Sequence, residues 1–180
     1  FVTNKMLYAG TADFRTRELA DEYSPLAAAL FDLPYVKSVY ICNNFVTLTK
    51  ELNYAWEDLM IRTKDFIKNY VAEEKPVILD GFAEAMTAAE DKRMSEINYS
   101  EDDGEMVKRI RELIDTYVKP AVEMDGGNIE FKSYHDGVVT LIMQGACSGC
   151  PSSTVTLKSG IEAMLKRMIP QVKEVVQEMA

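Results

Sequence analysis

Cys147 and Cys150 stand two residues apart in the run Gly145-Ala146-Cys147-Ser148-Gly149-Cys150-Pro151-Ser152-Ser153. Thiolates are soft ligands for zinc or for iron–sulfur clusters, and a close pair is also the minimal redox couple. Two sulfurs do not complete a tetrahedral metal or a cluster, so any metal here needs further ligands. The C-x-x-C spacing alone leaves three readings open: a metal or cluster site, a thiol–disulfide couple, or a structural pair.

The elements around the pair limit where other ligands come from. Asn128 to His135 and Val138 to Gly145 read as two strands around Asp136-Gly137, a strong two-residue hairpin signal. The thiols follow the second strand and precede a helical stripe, Leu157, Ile161, Met164, Leu165 and Met168, with Ser152 or Ser153 as its expected cap. Counting from the Asp136-Gly137 turn puts Cys147 opposite Gly126. The Asp125-Gly126-Gly127 loop is therefore the expected neighbour of the thiols, and its glycines permit a tight turn and close backbone approach. The thiols precede a helix N-terminus, where the positive end of the dipole and the free N–H groups are expected to favour negative sulfur.

The single histidine, His135, sits at the other end of this hairpin. Nine strand steps of roughly 3.3 Å put it on the order of 30 Å from the thiols, which argues against a Cys₂His site within one chain. Cys42 lies beside a separate turn and reads as a structural thiol. Within one chain only Cys147 and Cys150 converge. A cluster held by four thiolates then needs a second copy of the chain, with two cysteines from each across a two-fold axis.

The whole chain reads as α+β, two small units joined by an acidic segment. In the first, residues 1–80, a strand is expected over Phe1 to Tyr8. A helix follows over Leu19 to Phe31, broken near Pro25. Two strands, Tyr35 to Ile41 and Phe45 to Lys50, flank the Asn43-Asn44 turn, and a helix spans Tyr54 to Val71: the order is βαββα. Residues 81–104 carry seven acidic and two basic side chains, with little apolar periodicity beyond a helical turn or two near Ala83 to Ala89. They read as a solvated linker. In residues 105–180, Val107, Ile110, Ile114, Tyr117, Val118 and Val122 form one apolar stripe that Pro120 should bend. With the hairpin, the helix and a last strand over Val172 to Glu178, the order is αββαβ.

Bulk properties exclude several classes. A net charge of −9 argues against a nucleic-acid surface, and no apolar run reaches the length of a membrane span. Three cysteines are no disulfide framework, which fits a reducing compartment. The chain opens at Phe1 rather than Met, so residues upstream are expected to be missing, and the absence of a targeting peptide carries little weight. The first unit holds no phosphate loop and no nucleophile–base pair, and is expected to recognise partners.

Two stretches carry a family resemblance. Val122-Glu123-Met124-Asp125-Gly126-Gly127-Asn128-Ile129, followed by the thiol run above, resembles the NifU C-terminal domain of the Nfu family. Ser24-Pro25-Leu26-Ala27, Leu30-Phe31, Val36-Lys37-Ser38-Val39 and Asn44-Phe45-Val46-Thr47-Leu48-Thr49-Lys50 resemble the Nfu N-terminal domain. The resemblance implies an iron–sulfur cluster scaffold or carrier rather than an enzyme. It implies a [4Fe–4S] cluster, with [2Fe–2S] as the alternative, held by Cys147 and Cys150 in a homodimer and handed to apo-proteins. It implies the bacterial cytoplasm, or a mitochondrion or plastid. Asp125, Gly126 and Gly127 match a family motif that does not ligate iron. The family's usual opening, Asn-Pro-Asn-Ala, is absent. Two rivals stand beside this reading. A thioredoxin-like enzyme would place an aromatic residue before the first cysteine, where this chain has Gly145-Ala146. A dimer bridged by Cys₄ zinc would use the same four sulfurs.

Overall fold

A computed structural model describes residues 1–95, 101–147 and 151–179. The chain divides into two compact units, Phe1–Glu96 and Ile97–Ala180, each with its own apolar core.

In the first unit, β1 (Tyr8–Phe14), β2 (Val36–Asn43) and β3 (Phe45–Lys50) form an antiparallel sheet in the order β1-β2-β3. Cys42 pairs with Phe45 across the turn, and Asn43 takes the positive φ of 52° that this tight reversal demands. The helical stretch is broken as its proline implies. α1 (Arg17–Tyr23) ends at Ser24, and α2 (Pro25–Phe31) begins on Pro25. Ser24 serves both: its Oγ accepts from the Ala27 N–H at 3.1 Å, and its own N–H donates to the Ala20 carbonyl. α3 (Trp56–Ala72) buries Leu59, Thr63, Ile67 and Tyr70.

One element departs from expectation. The first strand is Tyr8–Phe14, not Phe1–Tyr8, and within Phe1 to Leu7 only Val2 makes a bridge, to Phe45. The apolar start of the chain hydrogen-bonds to the edge of β3 through Phe1 and Thr3 but forms only this one bridge, too short to count as a strand. The less strand-like Tyr-Ala-Gly-Thr-Ala-Asp-Phe run pairs with β2 because it buries Ala12 and Phe14. Burial outweighs strand propensity here.

The acidic segment 81–104, expected as a linker, is helical over α4 (Phe82–Ser95). Phe82 is buried against the rings of Tyr8, Phe14 and Tyr23 at 5.3–6.1 Å. Alanine, glutamate and methionine are good helix formers, which explains the helix without an apolar stripe.

The second unit opens with α5 (Glu101–Leu113), a π-turn over Ile114–Val118, and α6 (Lys119–Met124). The π-turn is how the helix accommodates Pro120, which has no N–H and crowds the preceding turn. The Lys119 N–H reaches five residues back, to the Ile114 carbonyl. This shifts the helical phase. Ile110, Ile114, Val118 and Val122 stay buried, and Leu113 joins them, while Tyr117, expected in the core stripe, is 63% exposed. β4 (Gly127–His135) and β5 (Val138–Gly145) form the hairpin around Asp136-Gly137, both at positive φ. α7 (Pro151–Met168) crosses over to β6 (Glu174–Met179), which runs parallel to β5. β5 alternates as its sequence suggests, with Val139, Leu141 and Met143 fully buried. α7 closes the core with Ile161 and Leu165; Met168, expected in the same stripe, is 40% exposed. α7 starts on Pro151, so Ser152 and Ser153 lie inside its first turn rather than at its cap.

A candidate cluster site at the hairpin end

Cys147 is half-buried at the open end of the β4–β5 hairpin, packed against the core of the second unit. Ser148, Gly149 and Cys150 lie outside the described residues, and so does the expectation that Cys150 is its partner. His135 stands at the opposite end, paired with Val138 beside the turn. Cys42 is buried in the first unit, where its sulfur accepts from Asn43 Nδ2 at 3.4 Å.

The DGG loop is the neighbour that the hairpin geometry requires, but with one residue of slip. A β-bulge between Phe131 and Ser133 leaves Lys132 unmatched, so Gly127 pairs with Gly145 and Asn128 with Gln144. Uninterrupted counting from the turn puts Asn128 opposite Gly145 instead. The ladder is extended by a bond from the Ala146 N–H to the Gly126 carbonyl at 3.2 Å. The two glycines have different jobs. Gly126 supplies the turn, with φ at +74°. Gly127 supplies space: a Cβ there would stand 2.7 Å from Cys147 Sγ and 3.1 Å from the Gln144 carbonyl. Cys147 Sγ therefore rests on bare backbone.

Asn128, next along β4, is fully buried at this end, a role that reading the sequence missed. Its Nδ2 donates to Gln144 Oε1 at 2.8 Å and to Glu130 Oε1 at 3.0 Å. Its Oδ1 accepts from no group among the described residues. The signal was available, since a lone amide between Gly127 and the apolar Ile129 is costly to bury unless it is bonded. The Asn128–Gln144 bond ties the two strands together one step from the thiol.

Burial pushes the Cys147 thiol up, and the nearby Asp125 carboxylate adds to this. Both causes act in the sense opposite to the dipole of the helix that begins four residues later. A metal at this sulfur must displace a proton, because the thiolate is the ligand. Among the described residues, no three His, Cys, Asp or Glu side chains come together to hold a metal ion. No helix there is long and apolar enough to cross a membrane.

The first unit carries a groove of about 720 Å³ between its opening residues and α3. Val2, Ile67 and Val71 are among its apolar lining, with Lys5, Lys64 and Lys68 as its cations.

Comparison with known proteins follows the same division. Residues 1–74 match the family model described as scaffold protein Nfu/NifU N terminal. Residues 110–176 match the model of the NifU-like domain. The chain is 43% identical over 171 residues to NifU-like protein 5, mitochondrial, of Arabidopsis thaliana, covering 94% of this chain and 59% of that one. It is 42% identical over 168 residues to the NFU1 iron-sulfur cluster scaffold homolog, mitochondrial, of Drosophila grimshawi, covering 93% and 52%. The chain thus spans between half and three-fifths of the length of these relatives. With one domain of the family matched in each unit, and with Cys147 set against Gly127 of the DGG loop, the chain belongs to the NifU-like (Nfu) family.

Proposed function

We propose that this protein is an iron–sulfur cluster carrier, not a catalyst, and that its cargo is a [4Fe–4S] cluster shared by two copies of the chain. Cys147 and Cys150 of each copy supply the four thiolates. One observation carries the reading most directly: Cys147 Sγ rests against Gly127 at an open hairpin end, beside the run that holds the second thiol. The names of the relatives, which include iron-sulfur cluster scaffold, support it. The first unit, which extends through α4, and the second unit, from α5 onward, act as the two functional domains.

A carrier must hold its cargo and still give it up. Two ligands from each chain meet both needs, since separating the chains exposes iron to the thiolates of an acceptor. Transfer proceeds by ligand exchange. An acceptor thiolate bonds to iron as the bond to Cys147 or Cys150 of one chain breaks, and the released sulfur takes up a proton. The raised affinity of Cys147 for its proton favours this release. The recipients are apo iron–sulfur proteins; nucleic acid and membrane have no part. The first unit selects partners, and its groove offers a concave surface for that task. The protein works in a reducing compartment, the cytoplasm in a bacterium or an organelle in a eukaryote; the relatives named above are mitochondrial forms.

Anaerobic reconstitution of single serine variants tests the ligand assignment. Cys147→Ser and Cys150→Ser each lose the cluster, while Cys42→Ser loads like the parent. A Cys150→Ser chain that assembles and transfers a cluster at the parent rate sinks the assignment.

A further inference from the structure

The π-turn has a consequence at the surface. It leaves Tyr117 63% exposed and Met124 78% exposed, and Pro120 and Ala121 between them also face solvent. Residues 117, 120, 121 and 124 stand at i, i+3, i+4 and i+7, so they share one side of the helix. The other side, Val118 and Val122, is buried in the core. The second unit therefore has a helix with two apolar faces, one packed and one bare. The bare face ends at Met124, which adjoins the Asp125-Gly126-Gly127 loop on which Cys147 rests.

We infer that this outer face of α6 is the docking surface for the acceptor during cluster transfer, and that the acceptor presents an apolar patch rimmed by Lys or Arg. The inference rests on the carrier reading. Tyr and Met suit the role, since Tyr is enriched among residues that dominate binding and Met adapts to varied surfaces. Charge decides between the two candidate occupants. Asp115, Glu123 and Asp125 border the stripe, against a single cation, Lys119, which is 4.0 Å from Asp115. A second copy laid on this face across a two-fold axis would set acidic rim against acidic rim. A partner with a basic rim meets the opposite charge, and the net charge of −9 steers it in the same sense.

The test uses the full chain loaded anaerobically, with two double variants, Tyr117→Ser/Met124→Ser and Asp115→Lys/Glu123→Lys. Iron and sulfide per chain and the mass of the loaded species are measured first. Cluster loss to a small chelator is compared with transfer to apo-aconitase, an acceptor whose activity reports arrival of a [4Fe–4S] cluster. Both variants are expected to load, to keep the parent mass and to lose cluster to the chelator at the parent rate. Their transfer to the protein acceptor slows by about tenfold, the size of a modest interface hot spot. Parent transfer slows as salt is added. Variants that transfer at the parent rate overturn the inference. So do variants that lose the loaded dimer, since that outcome gives the face to the second copy. A parent chain that loads no cluster fails at an earlier step and overturns the carrier reading instead.

Discussion

Cys147 and Gly127 act as a pair, one sulfur and one missing side chain. A methyl group added at Gly127 meets Cys147 Sγ at 2.7 Å, and backbone holds it from behind. Gly127→Ala is expected to push the sulfur off its seat. Folding stability falls by about 1–3 kcal/mol, as for other overpacked sites. The cluster content after reconstitution falls further, by several-fold, and iron per chain together with a urea melt separates the two effects. Full loading of the Gly127→Ala chain contradicts the seat. The nearness of the DGG loop to Cys147 and the placing of His135 at the opposite end were legible in the sequence, because a two-residue Asp-Gly hairpin fixes which end of each strand is which. The division of labour between Gly126 and Gly127 was not. It depends on the bulge at Lys132, which shifts the register by one and has no sequence signal of its own. The raised Cys147 was also hidden, since burial belongs to the fold rather than to the local run.

Among the elements, α5 and α7 each contain a glycine in open space. Gly104 and Gly160 have no atom within 4 Å of where a Cβ would stand. Alanine at either position is expected to stabilise the second unit by about 0.5–1 kcal/mol, read as a higher urea midpoint, because the backbone freedom lost on folding is smaller. A lower midpoint would mean that these helices are not regular there. α7 is also tied to β6 through Glu162. Its carboxylate accepts from Lys166 Nζ at 2.6 Å and from the Val175 N–H at 3.0 Å. These bonds, the Lys166 one foremost, hold the carboxyl below its ordinary range. Its stabilising effect is therefore complete above the ordinary carboxylate range and is lost as pH falls through the lowered value. Glu162→Gln should be less stable than the parent near neutral pH and equal to it in acid. A gap that does not change with pH rules out this charge linkage. The same scale shows where sequence periodicity failed. Pro120 announced a disturbance, but a bend and a π-turn look alike in sequence, and only the π-turn carries Tyr117 from the core to the surface. β1 was misplaced because its pairing with β2 outweighs its modest strand propensity.

For the whole molecule, the two cores divide the work. The first buries residues from Ala12 to Phe82 and the second residues from Val107 to Val175. A chain lacking the first unit is expected to fold and to load a cluster as the full chain does, while its transfer to a protein acceptor slows. The cut belongs after α4 rather than at residue 80, since Phe82 is part of the first core. Failure of the shortened chain to load would assign part of the site to the first unit. Two-unit organisation was legible from composition, because the charge-dense stretch 81–104 interrupts both apolar patterns. The helix within it was only partly so, as alanine-rich acidic sequence serves a helix and a solvated joint equally well.

The most direct test of the account is iron and acid-labile sulfide per chain after anaerobic reconstitution, measured with the mass of the loaded species. Ligand counting predicts about two irons and two sulfides per chain in a species of two chains, one [4Fe–4S] cluster on four thiolates. About one of each per chain would replace it with a [2Fe–2S] cluster, and zinc or a reversible disulfide in place of iron would contradict the carrier account.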